Sequence, residues 1–132
     1  MTQLLEVRAN CVIFGIDLDK KKKYVFSLTE KELTLPYINI NSANKDYIVE
    51  YVTESLKTYI KDESFNINNI EITPQLILAN TSYIESNENT LNMIYGILID
   101  YTENIQNGYW YEFNYTNITK YHNLLFDVIR EL

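Results

Sequence analysis

Residues 33–44 read LTLPYININSAN, and the fold assignment turns on this stretch. Proline offers the ladder no N–H, so a strand over residues 33–40 that carries Pro36 belongs at a sheet edge or has a strand end there. The polar run that follows, Asn41 to Asn44, hands over to a different period. A strand ending in Leu-Pro ahead of a helix is a familiar setting for a phosphate-binding or metal-binding loop. Here the connection holds neither glycine nor acid.

Upstream, the apolar run around Cys11 predicts a strand over residues 7–16, and the polar turn DLDKKKK leads to the alternating YVFSLT over residues 24–29. Three strands joined by short polar connections predict an antiparallel meander. Downstream, Ile48, Val52, Leu56, Tyr59 and Ile60 recur at three and four residues, so residues 44–61 read as a helix. Ser42 or Asn44 can cap it, and Asp46 suits its positive end.

Two further strands are predicted over residues 75–83 and 91–101. Asn107-Gly108 then reads as a hairpin turn into an aromatic strand over residues 109–115. Ile118, Tyr121, Leu125, Val128 and Leu132 close the chain at helical spacing. The expected order is βββαβββα, a mixed β-sheet covered by helices within one domain over residues 1–132.

The 132 residues suffice for one core, and 46% hydrophobic with 14% aromatic content argues for a folded chain. A net charge of −7 disfavours a general nucleic-acid surface, which needs clustered cations. A nucleotide at one local site stays compatible with it. The abundance of Asn, Ile, Tyr and Lys matches an AT-rich genome, such as that of a large DNA virus. Cys11 is the single cysteine, which excludes an internal disulfide and reads as a buried, inert thiol. The start lacks the pattern of a signal peptide and no run reaches membrane-spanning length, so no membrane is expected. The expected location is intracellular and cytoplasmic, with a virion or viral factory as the viral form of that expectation. The three Asn-X-Ser/Thr motifs at Asn80, Asn114 and Asn117 follow from composition.

The segments KYVFSLTEKELTLPYINI, NKDYIVEYVTESLKTYI and YGILIDYTENIQNGYWYEFNYTNITKYHNLLFDVIREL together resemble the Nudix hydrolase fold. The resemblance lies in element order, in Leu35-Pro36 ahead of a helix, and in Trp110 within an aromatic strand. It implies an α/β/α sandwich. Members of that family carry a glycine pair after Leu-Pro and a box of the form G-x5-E-x7-R-E-U-x-E-E-x-G-U, in which U is apolar. Its glutamates hold divalent cations on a diphosphate. This chain has Tyr37-Ile38 in place of the glycines, and its helix reads EYVTESLK, without the Arg-Glu and Glu-Glu pairs. The resemblance therefore implies a retained shape with a degenerate active site.

Two function classes lead, with a nucleotide-binding sensor without turnover, built on the aromatic residues and no metal, as a third. The first is a catalytically inactive Nudix-like binding or structural module in a protein assembly, with no cofactor. It would bind a protein partner or a second copy through Tyr109, Trp110, Tyr111 and Phe126, because aromatic residues on both faces of a strand exceed what one buried face needs. The alternative is a diverged Mg-dependent Nudix pyrophosphohydrolase acting on a nucleoside diphosphate derivative or an RNA cap. Glu50 and Glu54, with Asp46, would then hold Mg²⁺. The same acids also read as a plain solvated face beside Lys57 and Lys61. Lys20 to Lys23 read as a solvated turn, and His122, the only histidine, as a packing or surface residue.

Overall fold

The spine of the fold is β1 (Glu6–Asp17), whose central residues are buried on both sides. In the computed structural model the described residues are 6–41, 43–61, 66–67, 70–71, 73–78, 84, 89–113 and 122–132, with backbone only for 66–67, 70–71 and 122. Alternation along β1 sends Ala9, Cys11 and Ile13 into one core and Val12 and Phe14 into another. A strand apolar on both faces needs cover on both. Two helices supply it.

One edge of β1 pairs along its length, in parallel, with β7 (Thr90–Asp100), from Glu6↔Thr90 to Ile16↔Asp100. The opposite edge takes two strands end to end. There β2 (Lys22–Ser27) runs antiparallel against Phe14 to Asp17, and β3 (Tyr37–Ile40) antiparallel against Val7 to Asn10. The expected meander is thus corrected, because β3 returns to β1 and does not pair with β2. Ser27 explains the return: its hydroxyl accepts from Thr34 N–H at 2.9 Å and donates to Thr29 C=O at 2.8 Å. That pins the excursion over residues 28–36 at its base. Pro36 then re-enters the sheet through its carbonyl, which accepts from Cys11 N–H at 2.8 Å; it has no N–H to return the second bond of that pair, and the strand proper begins one residue later at Tyr37.

The remaining strands complete a six-stranded mixed sheet of order β6-β7-β1-β2-β8, with β3 beside β1. Both β6 (Gln75–Ile77) and β8 (Tyr109–Glu112) are antiparallel to their neighbours, β7 and β2. A separate pair, β4 (Asn66–Ile67) and β5 (Ile70–Glu71), stands apart. The hairpin expected at Asn107-Gly108 does not form. Both edges of β7 are already taken, by β1 and β6, so the chain crosses over β1 and β2 through residues 101–108 and joins the sheet on the far side of β2. Asn107 still adopts a left-handed φ of 60°, a conformation that Asn tolerates.

The first helix, α1 (Ile48–Leu56), buries Val52 and Leu56 with Ile60 against Ala9, Cys11, Ile13, Phe26, Tyr95, Ile97 and Ile99. The second, α2 (His122–Glu131), places Leu124, Leu125 and Val128 against Val12, Phe14, Val25, Ile77 and Ile94. The protein is therefore mixed α+β, with one helix on each face of the sheet.

Helix α1 starts at Ile48, four residues later than the spacing predicts. Asn44 Oδ1 accepts from Asn41 N–H at 2.9 Å, and Asn41 Oδ1 accepts from Ala43 N–H at 2.8 Å. These short polar side chains hold residues 43–46 as turns in competition with helix. The cap assigned to Asn44 is corrected accordingly: Tyr47 occupies the cap position and makes no side-chain capping bond. The start of the terminal helix at Ile118, Tyr115, the strand end over residues 79–83, the three glycosylation motifs and the Ser42 cap all fall outside the described residues.

Candidate functional site

The acidic positions are spread by the same turn that delays α1. Asp46 lies before the helix while Glu50 and Glu54 lie within it, and all three are exposed. Glu54 is engaged by Lys57, with Oε1 to Nζ at 3.3 Å. Among the described residues no three His, Cys, Asp or Glu side chains gather closely enough to hold a metal ion. Magnesium takes near-octahedral oxygen ligands from convergent carboxylates. Asp46, Glu50 and Glu54 in this arrangement do not fit it.

The segment that would carry a phosphate-binding turn is built as strand. Tyr37 and Ile38 pair with Asn10 and Ala9 in β3, and Leu35 is buried in the α2-side core. The residues directly after Leu35-Pro36 are thus strand and form no tight turn around an anion.

The aromatic strand β8 divides its side chains between the two faces. Trp110 turns toward α1, its indole N–H donating to Thr102 C=O at 2.8 Å. Phe26 meets the Trp110 ring edge-on at 5.8 Å and 86°. Tyr101 packs at 5.7 Å, itself stacked on Tyr24 at 4.5 Å. Trp110 thereby fastens the crossover over residues 101–108 to the sheet, with Gln106 N–H donating to Tyr59 C=O at 2.9 Å as a second tie. On the other face Tyr111 is half-buried and its hydroxyl donates to Glu30 C=O. Burial pushes that phenol above its ordinary pKa, with Glu30 and Glu32 adding to the shift. Phe126 of α2 packs on Phe113 at 5.3 Å, and Phe113 on Phe14 at 5.7 Å. Tyr109 projects into solvent at 45% exposure.

Among the described strands β8 pairs with β2 alone, which makes it a terminal strand of the sheet. Phe113 N–H reaches Lys23 C=O at 2.7 Å. The antiparallel ladder alternates, so Tyr109, Tyr111 and Phe113 point their backbone groups at β2. Trp110 and Glu112 point theirs outward. An outward row of donors and acceptors beside an exposed tyrosine is a template for another strand.

Lys20 to Lys23 are exposed, with Asp17 Oδ1 accepting from Lys20 N–H at 3.1 Å and Lys22 lying 3.8 Å from Glu112. Cys11 is buried and its thiol is pushed up to about 12 by burial, so it is not a nucleophile. His122 begins α2. Among the described residues no helix is long and apolar enough to cross a membrane.

Sequence reasoning missed the crossover and a polar cluster around Arg8 and Asn10. The available signal for the cluster was the alternation RAN-C within an otherwise apolar strand, with polar side chains at every second position. The sequence matches no family model and no curated protein.

Proposed function

We propose that the chain is a non-hydrolytic binding module, Nudix-like in shape, which associates with a second copy of itself by strand addition along β8. The observation that carries this reading is the outer edge of β8 at Trp110 and Glu112, which no other described strand covers, bordered by exposed Tyr109 and by half-buried Tyr111 and Phe126. Antiparallel pairing of β8 with its own copy would satisfy those outward groups reciprocally, as a two-fold interface requires. The four aromatic residues then share the work: Trp110 and Tyr111 brace the edge from the two faces, and Tyr109 and Phe126 supply contact area. A viral assembly is one setting that suits such a module.

Hydrolysis loses its footing for a physical reason. A pyrophosphohydrolase needs carboxylates converging on a cation, and Glu54 is turned to Lys57 while Asp46 stands off the helix. The test of the module is Tyr109→Lys, which sets a charge on the edge at an exposed position. Light scattering should show association weakened by about tenfold or more, or ~1.4 kcal/mol, with circular dichroism unchanged. Association unaffected by the substitution would remove β8 as the docking strand.

A further inference from the structure

Helix α2 covers one half of its face of the sheet, over Val12, Phe14 and Ile94. Toward the start of β1 the same face turns polar. Glu6, Arg8 and Asn10 share it by alternation, and the register adds Asn39 and Asn92, the β3 and β7 partners of Arg8, together with Tyr37. Such a set in the middle of a sheet calls for a reason.

Arg8 is held from two directions. Its Nε donates to Glu6 Oε1 at 2.8 Å, and its guanidinium lies over the Tyr37 ring, 4.5 Å from the centroid. With its side chain 23% exposed, the group is stacked, tethered and still reachable. Its terminal Nη1 and Nη2, the fork that suits a planar oxyanion, have no acceptor among the described residues. Asn10, only 3% exposed, donates through Nδ2 to Asn92 Oδ1 at 3.0 Å and to Met93 C=O at 3.2 Å. With the Asn92 oxygen accepting from Asn10, the Asn92 amide can still donate through its NH₂ group. Arg8 and Asn92 thus each offer donors.

We infer that Arg8, stacked on Tyr37 and flanked by Asn39 and Asn92, forms a binding site for a carboxylate. The charge balance favours a carboxylate over a phosphate. Glu6 already offsets much of the single cation, and the chain as a whole carries −7. A planar monoanion matches the fork of Arg8, whereas a dianion would meet Glu6 with nothing to offset its second charge. The site spans β3, β1 and β7, and the inference does not rest on β8.

The experiment follows the Arg8 Nε–Hε signal by NMR in the full chain. Acetate, a short peptide with a free C-terminal carboxylate, its C-terminal amide and inorganic phosphate are each titrated. A saturable shift with acetate or the free-acid peptide, absent with the amide, is expected. Acetate matching the peptide would assign a small free carboxylate, and the peptide binding far more tightly would assign a chain terminus. Arg8→Lys, which keeps the charge and loses the fork, should weaken binding by about tenfold, followed through the Asn92 side-chain amide. Tyr37→Leu, which removes the stacking surface at an exposed position, should weaken it as well. Saturation by phosphate alone, equal response to acid and amide peptides, no saturable shift, or unaltered binding in both variants would overturn the assignment.

Discussion

Gly15 exists to admit Trp110. A Cβ at Gly15 would lie 2.9 Å from Trp110 Cη2, closer than real Cβ contacts come, and a tight 3.1 Å from Cζ3. The spine of the sheet and the strand at its far side thus depend on each other across β2. The same indole ties down the crossover through Thr102.

Gly15→Ala should therefore destabilise the fold by about 1–3 kcal/mol through overpacking. Combining it with Trp110→Phe should recover part of that loss, because the smaller ring vacates the space. Urea unfolding of the two single variants and the double variant measures the coupling. Additive losses would show that Gly15 and Trp110 do not interact as described.

Buried Asn10 faces two acceptors, Asn92 Oδ1 and Met93 C=O. Asn10→Asp replaces a donor by a carboxylate there, at a cost of about 2 kcal/mol or more at neutral pH. The folded-state pKa of the new acid would be raised, so the penalty is absent below the unfolded value and grows as pH rises through the carboxylate range. Thermal melts at acid and neutral pH should show the variant approaching wild type only in acid.

Cys11 has a folded pKa of about 12 against an ordinary 9.0. Below 9 the thiol is protonated in both states and its contribution is intact. Between 9 and 12 the unfolded chain ionises while the folded chain does not, so stability falls with pH by up to about 4 kcal/mol. Cys11→Ala carries a cavity penalty at neutral pH but escapes this loss. The stability gap between the two proteins should narrow from neutral to alkaline pH in chemical denaturation. A constant gap would mean that the thiol is not shielded.

The acidic helix face should behave as ordinary surface. Calorimetric titration with Mg²⁺ should give no saturable heat, and Glu54→Gln should match wild type in both heat and stability, within about 0.5 kcal/mol. Saturable binding lost in Glu54→Gln would restore the metal reading.

Much of the fold was legible where one period dominates. Residues 11–16 and 93–99 are apolar runs, and the α1 stripe Ile48, Val52 and Leu56 is regular, so those elements emerge from local pattern alone. What eluded the sequence depends on partner choice. Nothing in Tyr37 to Ile40 says that this strand pairs with β1, since Ser27 makes the return through bonds across seven residues. Asn107-Gly108 carries hairpin chemistry, yet β6 and β1 occupy both edges of β7 and leave the hairpin no partner. The delayed start of α1 came from Asn41 and Asn44 bonding backbone, a competition that periodicity does not register.

The candidate site was half legible. Alternation in YWYEF separates Trp110 from Tyr109 and Tyr111, and the structure keeps that division. Which face is buried followed only from the pairing of β8 with β2. The anchoring of Trp110 by Thr102 needed the crossover, and the Arg8 cluster needed the register of three strands.

Amide hydrogen exchange along β8, measured at low and high protein concentration, tests the proposed association most directly. Pairing of β8 with its own copy predicts that Trp110 and Glu112 exchange quickly when dilute and become protected when concentrated, while Tyr111 is protected throughout by β2. Exchange at Trp110 and Glu112 that stays fast at every concentration would contradict the account.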